Sequence, residues 1–208
     1  MKGYEVASLT DLDSLPAPGS LRWTPLRKRF GITAFGINAY TASEAGQDVV
    51  EEHDEARLGH EELYLVVSGR ATFVLDGEEV DVPAGSLVYL GDPTVTRYAR
   101  AAEPGTTVLA IGGKPGRHDV SAWEYFFAAY PKADAGDYAG ALAEIDAGLD
   151  AKPDHPPLLY HRACILAREG RTDEARGYLD RALELDPVLE TYAAENEDLA
   201  ALRVTGES

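Results

Sequence analysis

Residues 63–90, LYLVVSGRATFVLDGEEVDVPAGSLVYL, decide the fold class of the first half of the chain. Short apolar runs rich in Val, Tyr, Phe and Leu are broken by SG, DG and PAG, the pattern of strands separated by turns. Asp76-Gly77, between two alternating runs, is a strong two-residue hairpin signal because that turn needs left-handed backbone. The whole stretch therefore predicts consecutive antiparallel strands, with a hairpin as its clearest unit. Working outward, GITAFGINAY (31–40), VVEEH (49–53), VTRYARA (95–101) and TTVLAIGG (106–113) have the same texture. Many short strands at this spacing predict a sandwich or small barrel.

Composition limits the function. The chain has 208 residues, 45% of them hydrophobic, enough for one large or two small packed domains. A formal charge of -17 argues against nucleic acid or an anionic membrane as partner, since both would repel most of its face. Small molecules and proteins remain as ligands. The single cysteine, Cys164, excludes an internal disulfide framework, and MKGYEVASLTDLDSLP lacks the apolar run of a signal peptide. A cytoplasmic location is expected. No stretch reaches the roughly 18 apolar residues a membrane span needs.

At Ser121 the texture changes. SAWE (121–124) matches a capping box, and alanine-rich helical periodicity follows. A β-domain over 1–120 and a helical domain over 121–208 are predicted. The second half also repeats itself: Gly136 and Gly170, Ala141 and Ala175, Ile145 and Leu179, Leu149 and Leu183, Pro153 and Pro187 are each 34 residues apart. That is the period of a tetratricopeptide repeat. Small residues recur where two helices must approach closely: Ala129/Ala163, Ala141/Ala175 and Gly148/Ala182. The expectation is two repeats, about 122–155 and 156–188, with a capping helix over 189–203 and a kink or break at Pro131. Such helices serve a protein partner, self-association or an internal brace.

The first half resembles the cupin family of small antiparallel β-barrels. The first family motif, with its His-x-His, Glu and closing Gly, lies here on Gly46, His53-Asp54-Glu55, Glu62 and Gly69, with EELYLVVSG the close match. Glu55 stands at the second-histidine position, and the longer loop ARLG delivers an additional imidazole, His60. The second motif begins well at PAG (83–85) but puts Thr96 at the usual fourth-ligand position and Arg100 at the asparagine. The resemblance spans roughly residues 30–115. It implies a double-stranded β-helix barrel, a divalent ion such as Fe, Mn, Ni or Zn held by His53, Glu55, His60 and Glu62, and pairing as a homodimer.

Strand alternation adds a direct reading. His60, Glu62 and Tyr64 share one face, and Glu61, Leu63 and Leu65 the other, while Glu51, His53 and Glu55 point together. Two imidazoles with carboxylates suit first-row divalent ions. An acidic loop solvated by water is the competing reading. Glu55 or Glu61 would serve as general base, and Tyr64, Tyr89 and Tyr98 as pocket hydroxyls or packing. Arg97 and Arg100 read as anion contacts or as a charged strand edge, the edge being preferred, and LRKR (26–29) as a solvated edge or an ion-pair partner of the acidic helices. His118 reads as surface, His155 and His161 as parts of the repeats, and Cys164 as a small packing residue. Gly112-Gly113 lacks the helix start of a phosphate loop. Two functions stand open: a metal-dependent dioxygenase, isomerase or lyase, and a non-catalytic small-molecule sensor or scaffold.

Overall fold

The computed structural model describes residues 5–17, 19–118 and 121–203. The chain divides into two compact units, residues 1–119 and 120–208. Among the described residues of the first, ten strands form two antiparallel sheets. One sheet runs β1 (Leu15–Pro16), β2 (Arg22–Thr24), β3 (Gly36–Thr41), β10 (Thr107–Gly113), β5 (Glu61–Ser68) and β8 (Leu87–Leu90). The other runs β4 (Asp48–His53), β9 (Arg97–Ala101), β6 (Arg70–Leu75) and β7 (Glu78–Pro83). Inward rows from both sheets meet: Tyr64, Val66, Val88, Leu90 and Val108 from one, and Val49, Phe73, Val82, Ala99 and Ala101 from the other.

Residues 63–90 are strands throughout, but only DG closes a hairpin, joining β6 to β7. SG and PAG instead carry the chain from one sheet to the other, because β5 pairs with β8 and β10 while β6 pairs with β7 and β9. These are corners rather than hairpin turns. Residues 31–35 are not strand either; β3 begins at Gly36 after the short helix α1 (Leu26–Phe30). The LRKR cluster therefore lies on a helix, not a strand edge, and its Arg29 pairs with Glu5 within the same unit.

The second unit packs two helix pairs. The first is α2 (Ala122–Asp134) with α3 (Tyr138–Ala151), the second α4 (Pro156–Arg168) with α5 (Thr172–Leu185). Ala129 and Ala163, and Ala141 and Ala175, are all fully buried at equivalent positions. The same turn ends both first helices: the Asp137 amide donates to the Lys132 carbonyl, and the Arg171 amide to that of Leu166. Gly148 stands where the second repeat has Ala182, because a Cβ there would meet the Tyr125 ring at 2.7 Å.

Two expectations are corrected here. Helix α2 runs through Pro131 without interruption, since the proline sits in its last turn and removes only one hydrogen bond near the end. The cap over 189–203 is broken into α6 (Leu189–Glu195), a 3₁₀ turn (Glu197–Leu199) and α7 (Ala200–Arg203). Asn196 makes the break: its side-chain oxygen caps Asp198 while its amide donates to the Tyr160 hydroxyl at 2.8 Å. Among the described residues no helix is long and apolar enough to cross a membrane.

Candidate functional site

The barrel interior is apolar at one end and polar at the other, and the strand sequences set this. Along β5 the inward row reads Glu62, Tyr64, Val66, and along β9 it reads Arg97, Ala99, Ala101. Glu62 and Arg97 thus enter the same end, where β4 finishes at His53, paired with Arg97. A cavity of about 620 Å³ opens there, lined among others by Tyr40, Glu51, His53, Glu55, His60, Glu62 and Tyr64.

The loop after β4 delivers the remaining donors. Asp54 accepts from the Ala56 amide at 3.0 Å, and the Glu55 carbonyl accepts from Leu58 and Gly59, winding residues 55–59 into one turn. That turn brings His60 back beside Glu55, with Nδ1 3.2 Å from Oε2. The geometry is an ion-pair approach and not an aligned hydrogen bond, so Glu55 Oε2 stays buried without a hydrogen-bond partner. His53 Nδ1 lies 2.7 Å from the Glu51 carbonyl. A carbonyl only accepts, so Nδ1 carries the proton and Nε2 is left to face Glu62 Oε2 at 3.6 Å.

Glu62 is the most constrained group. The Tyr64 hydroxyl donates to its Oε2 at 2.6 Å, and the Arg97 guanidinium stands 3.2 Å from the same oxygen. Burial pushes the Glu62 carboxyl up, but His53, Tyr64 and the Arg97 charge outweigh it and hold it below the ordinary range. Glu62 in turn raises the His53 imidazole, against the opposing effects of burial and Arg97. Tyr64, buried beside that carboxylate, is held well above the ordinary phenol range and stays a donor.

One ligand atom each from His53, Glu55 and Glu62 lies within 4.8 Å of the others. Bound to one ion at the usual ~2.1 Å, such donors sit somewhat closer together, so small side-chain rotations bring them to coordination distance. An orphaned buried carboxylate oxygen beside an imidazole lone pair fits a divalent cation. His60 adjoins this trio through Glu55, whereas Thr96 does not join it: its backbone is tied to Asp76 by a pair of hydrogen bonds.

Other sequence candidates lie elsewhere. Glu61 is on the opposite face of β5, lining a separate shallow pocket with Tyr89, Phe35 and His118. Tyr98 and Arg100 point outward on β9, where both contact Asp48. Arg97, read as an exposed edge, is wholly buried. The signal was available: it is in phase with Ala99 and Ala101, the inward row of its strand. Cys164 is buried, and burial pushes its thiol up to about 12, which fits packing rather than nucleophilic chemistry.

Comparison with known proteins follows the same division. Residues 156–187 match the tetratricopeptide repeat family. No curated protein sequence matches the chain. Among solved structures, a cupin protein from Bacteroides fragilis is 23% identical, covering 58% of this chain and 92% of its own, with a TM-score of 0.46. KdgF from Halomonas sp. is 17% identical over 50% of this chain and 90% of its own, with a TM-score of 0.42. A sugar phosphate isomerase of the cupin superfamily from Silicibacter pomeroyi is 19% identical over 53% and 76%, with a TM-score of 0.43. The strand order given above, two antiparallel sheets closed on one interior, settles the first unit. It is a two-sheet antiparallel β-barrel, the architecture that the resemblance implies. The polar end of this barrel's interior is where His53, Glu55, His60 and Glu62 gather, and residues 156–187 of the second unit carry the tetratricopeptide match.

Proposed function

We propose that the barrel binds a small molecule at a divalent metal ion held by His53, Glu55 and Glu62, with His60 beside them. The observation that carries this reading is the convergence of the three donors within 4.8 Å inside a cavity of about 620 Å³, a volume suited to a small ligand. A mixed nitrogen and oxygen donor set suits Mn, Fe, Ni or Zn. Such an ion, when bound, polarises a ligand oxygen. The chain's own groups then divide the work. Tyr64 and Arg97 orient Glu62, and the Glu51 carbonyl fixes the His53 tautomer. His60, which lines the cavity outside the three donors, takes or returns a proton on a ligand there, as an isomerase, lyase or oxygenase requires.

Equilibrium dialysis against Mn²⁺ and Zn²⁺ tests the proposal. About one equivalent retained by the wild type and lost in His53→Ala and in Glu55→Gln is the expected outcome. Equal retention in all three proteins would refute the ligand assignment. Glu62 is the poorer choice for this test because its removal also strands Arg97.

A contact role for the helical unit is the second reading, favoured by Trp123 and Phe127, both 60% exposed on α2. Partner binding or homodimerisation through this face is expected to weaken in Trp123→Ala/Phe127→Ala. Sedimentation velocity of wild type and variant distinguishes them: a dimer that dissociates in the variant assigns the face to self-association, and a monomer in both leaves it to a protein partner.

A further inference from the structure

We infer that the barrel cavity takes an organic anion, whose negatively charged group is held at the mouth by Arg27, Lys114 and Arg117. The inference rests on this cavity being the ligand site, and it stands whether or not a metal occupies the floor.

The cavity is polarised by depth. Its deeper wall carries Glu55 and Glu62, whose side chains are only 13% and 14% exposed. The three bases that line it are all exposed. They come from separate segments: Arg27 from α1, and Lys114 and Arg117 from the turn that follows β10, in which the Arg117 amide donates to the Lys114 carbonyl. Most other arginines of this acidic chain are taken up in ion pairs, including Arg29 with Glu5, Arg70 with Asp81 and Arg171 with Glu174. Among the described residues, Arg27, Lys114 and Arg117 have no such partner.

Three unneutralised cations facing one cavity raise the local potential against a chain of net charge -17. That field attracts an anion to the mouth, while the carboxylate floor repels it from the depth. The geometry therefore orients a ligand: its anionic group, a phosphate or carboxylate, at the bases, and its neutral, oxygen-bearing end at His53, Glu55 and Glu62. A neutral molecule of the same size gains nothing from the bases and binds more weakly.

Inorganic phosphate is the probe. Full-length protein is stripped with EDTA, and phosphate is titrated calorimetrically before and after re-equilibration with Mn²⁺. The proteins compared are wild type, Arg27→Ala/Lys114→Ala/Arg117→Ala, and Arg171→Ala/Arg181→Ala/Arg203→Ala as a control that removes equal charge from the helical unit. Loss of three charge-assisted contacts weakens phosphate about tenfold or more in the first triple variant. Wild type and the control triple keep their phosphate affinity without metal, and the first triple still takes up Mn²⁺. Equal phosphate affinity in the two triple variants, or no phosphate binding by metal-free wild type, overturns the inference. Failure of wild type to take up Mn²⁺ contradicts the metal proposal alone.

Discussion

At the scale of single residues, the site turns on one buried ion pair. Arg97 is fully buried with its three guanidinium nitrogens lacking aligned hydrogen-bond acceptors, and among the described residues Glu62 is its one counter-charge within 4 Å. Removing one member of such a pair leaves a charge stranded in a low-dielectric interior. Glu62→Ala is expected to lower barrel stability by about 3 kcal/mol, and adding Arg97→Met is expected to restore most of that loss. Urea midpoints of the single and double variants check this, and equal midpoints would count against it. His161 offers a second test. It stacks on Phe126 with centroids 4.1 Å apart, and burial pushes its imidazole down from 6.5 to about 4. A lowered pKa means that protonation favours the unfolded chain. The helical unit is thus at full stability above pH 6.5 and weakens as pH falls towards 4, by up to about 3 kcal/mol. In His161→Gln that slope should flatten in urea unfolding at pH 7 and pH 5. The residue types were legible in the sequence, and period-two alternation put Glu62 and Tyr64 on one face of β5, whereas Glu55 and His60 are placed by the turn after β4 and not by strand alternation. The partners of these residues were not legible. That Arg97 reaches Glu62 depends on the pairing of β9 with β4, a contact between residues 35 positions apart in the chain.

At the scale of elements, alternation and turn chemistry located the strands but not the sheet each joins. Asp76-Gly77 could be read locally because a hairpin closes on itself. Ser68-Gly69 and Pro83-Ala84-Gly85 could not, because a corner and a hairpin use the same turn residues and differ only in distant partners. Gly69 shows what the corner demands. Its φ is +71°, and a Cβ there would sit 2.5 Å from Thr106 Oγ1 and 2.7 Å from Thr106 Cα. Gly77 has φ +86° with nothing within 4 Å of a Cβ. Gly69→Ala is therefore expected to destabilise the barrel by several kcal/mol, through clash added to backbone strain, and Gly77→Ala by only about 1 kcal/mol. Thermal unfolding of both variants checks the order; similar losses would mean that the corner is less tightly packed than described. The helical repeat was easier to read, since its period of 34 reports local geometry. The break at Asn196 escaped because its cause, the bond to Tyr160, lies in another helix.

At the scale of the molecule, each unit encloses its own core: Ile145, Leu158, Ile165 and Leu166 in the helices, and Val66, Phe73 and Val108 in the barrel. Units with separate cores fold separately. Residues 121–208 expressed alone are expected to retain helical circular dichroism and a cooperative thermal transition, and a gradual, non-cooperative loss of signal would contradict this. The division also separates chemistry from contact, with the titratable cluster in the barrel and the exposed aromatic side chains Trp123 and Phe127 on the helices. The central claim concerns the barrel: a cation belongs between His53, Glu55 and Glu62. The most direct measurement is anomalous diffraction from a crystal of the full chain soaked in Mn²⁺. The account requires one anomalous peak in the cavity within about 2.5 Å of a donor atom of each of the three residues. A soaked crystal with no peak there, or with manganese bound only at other carboxylates, would contradict it.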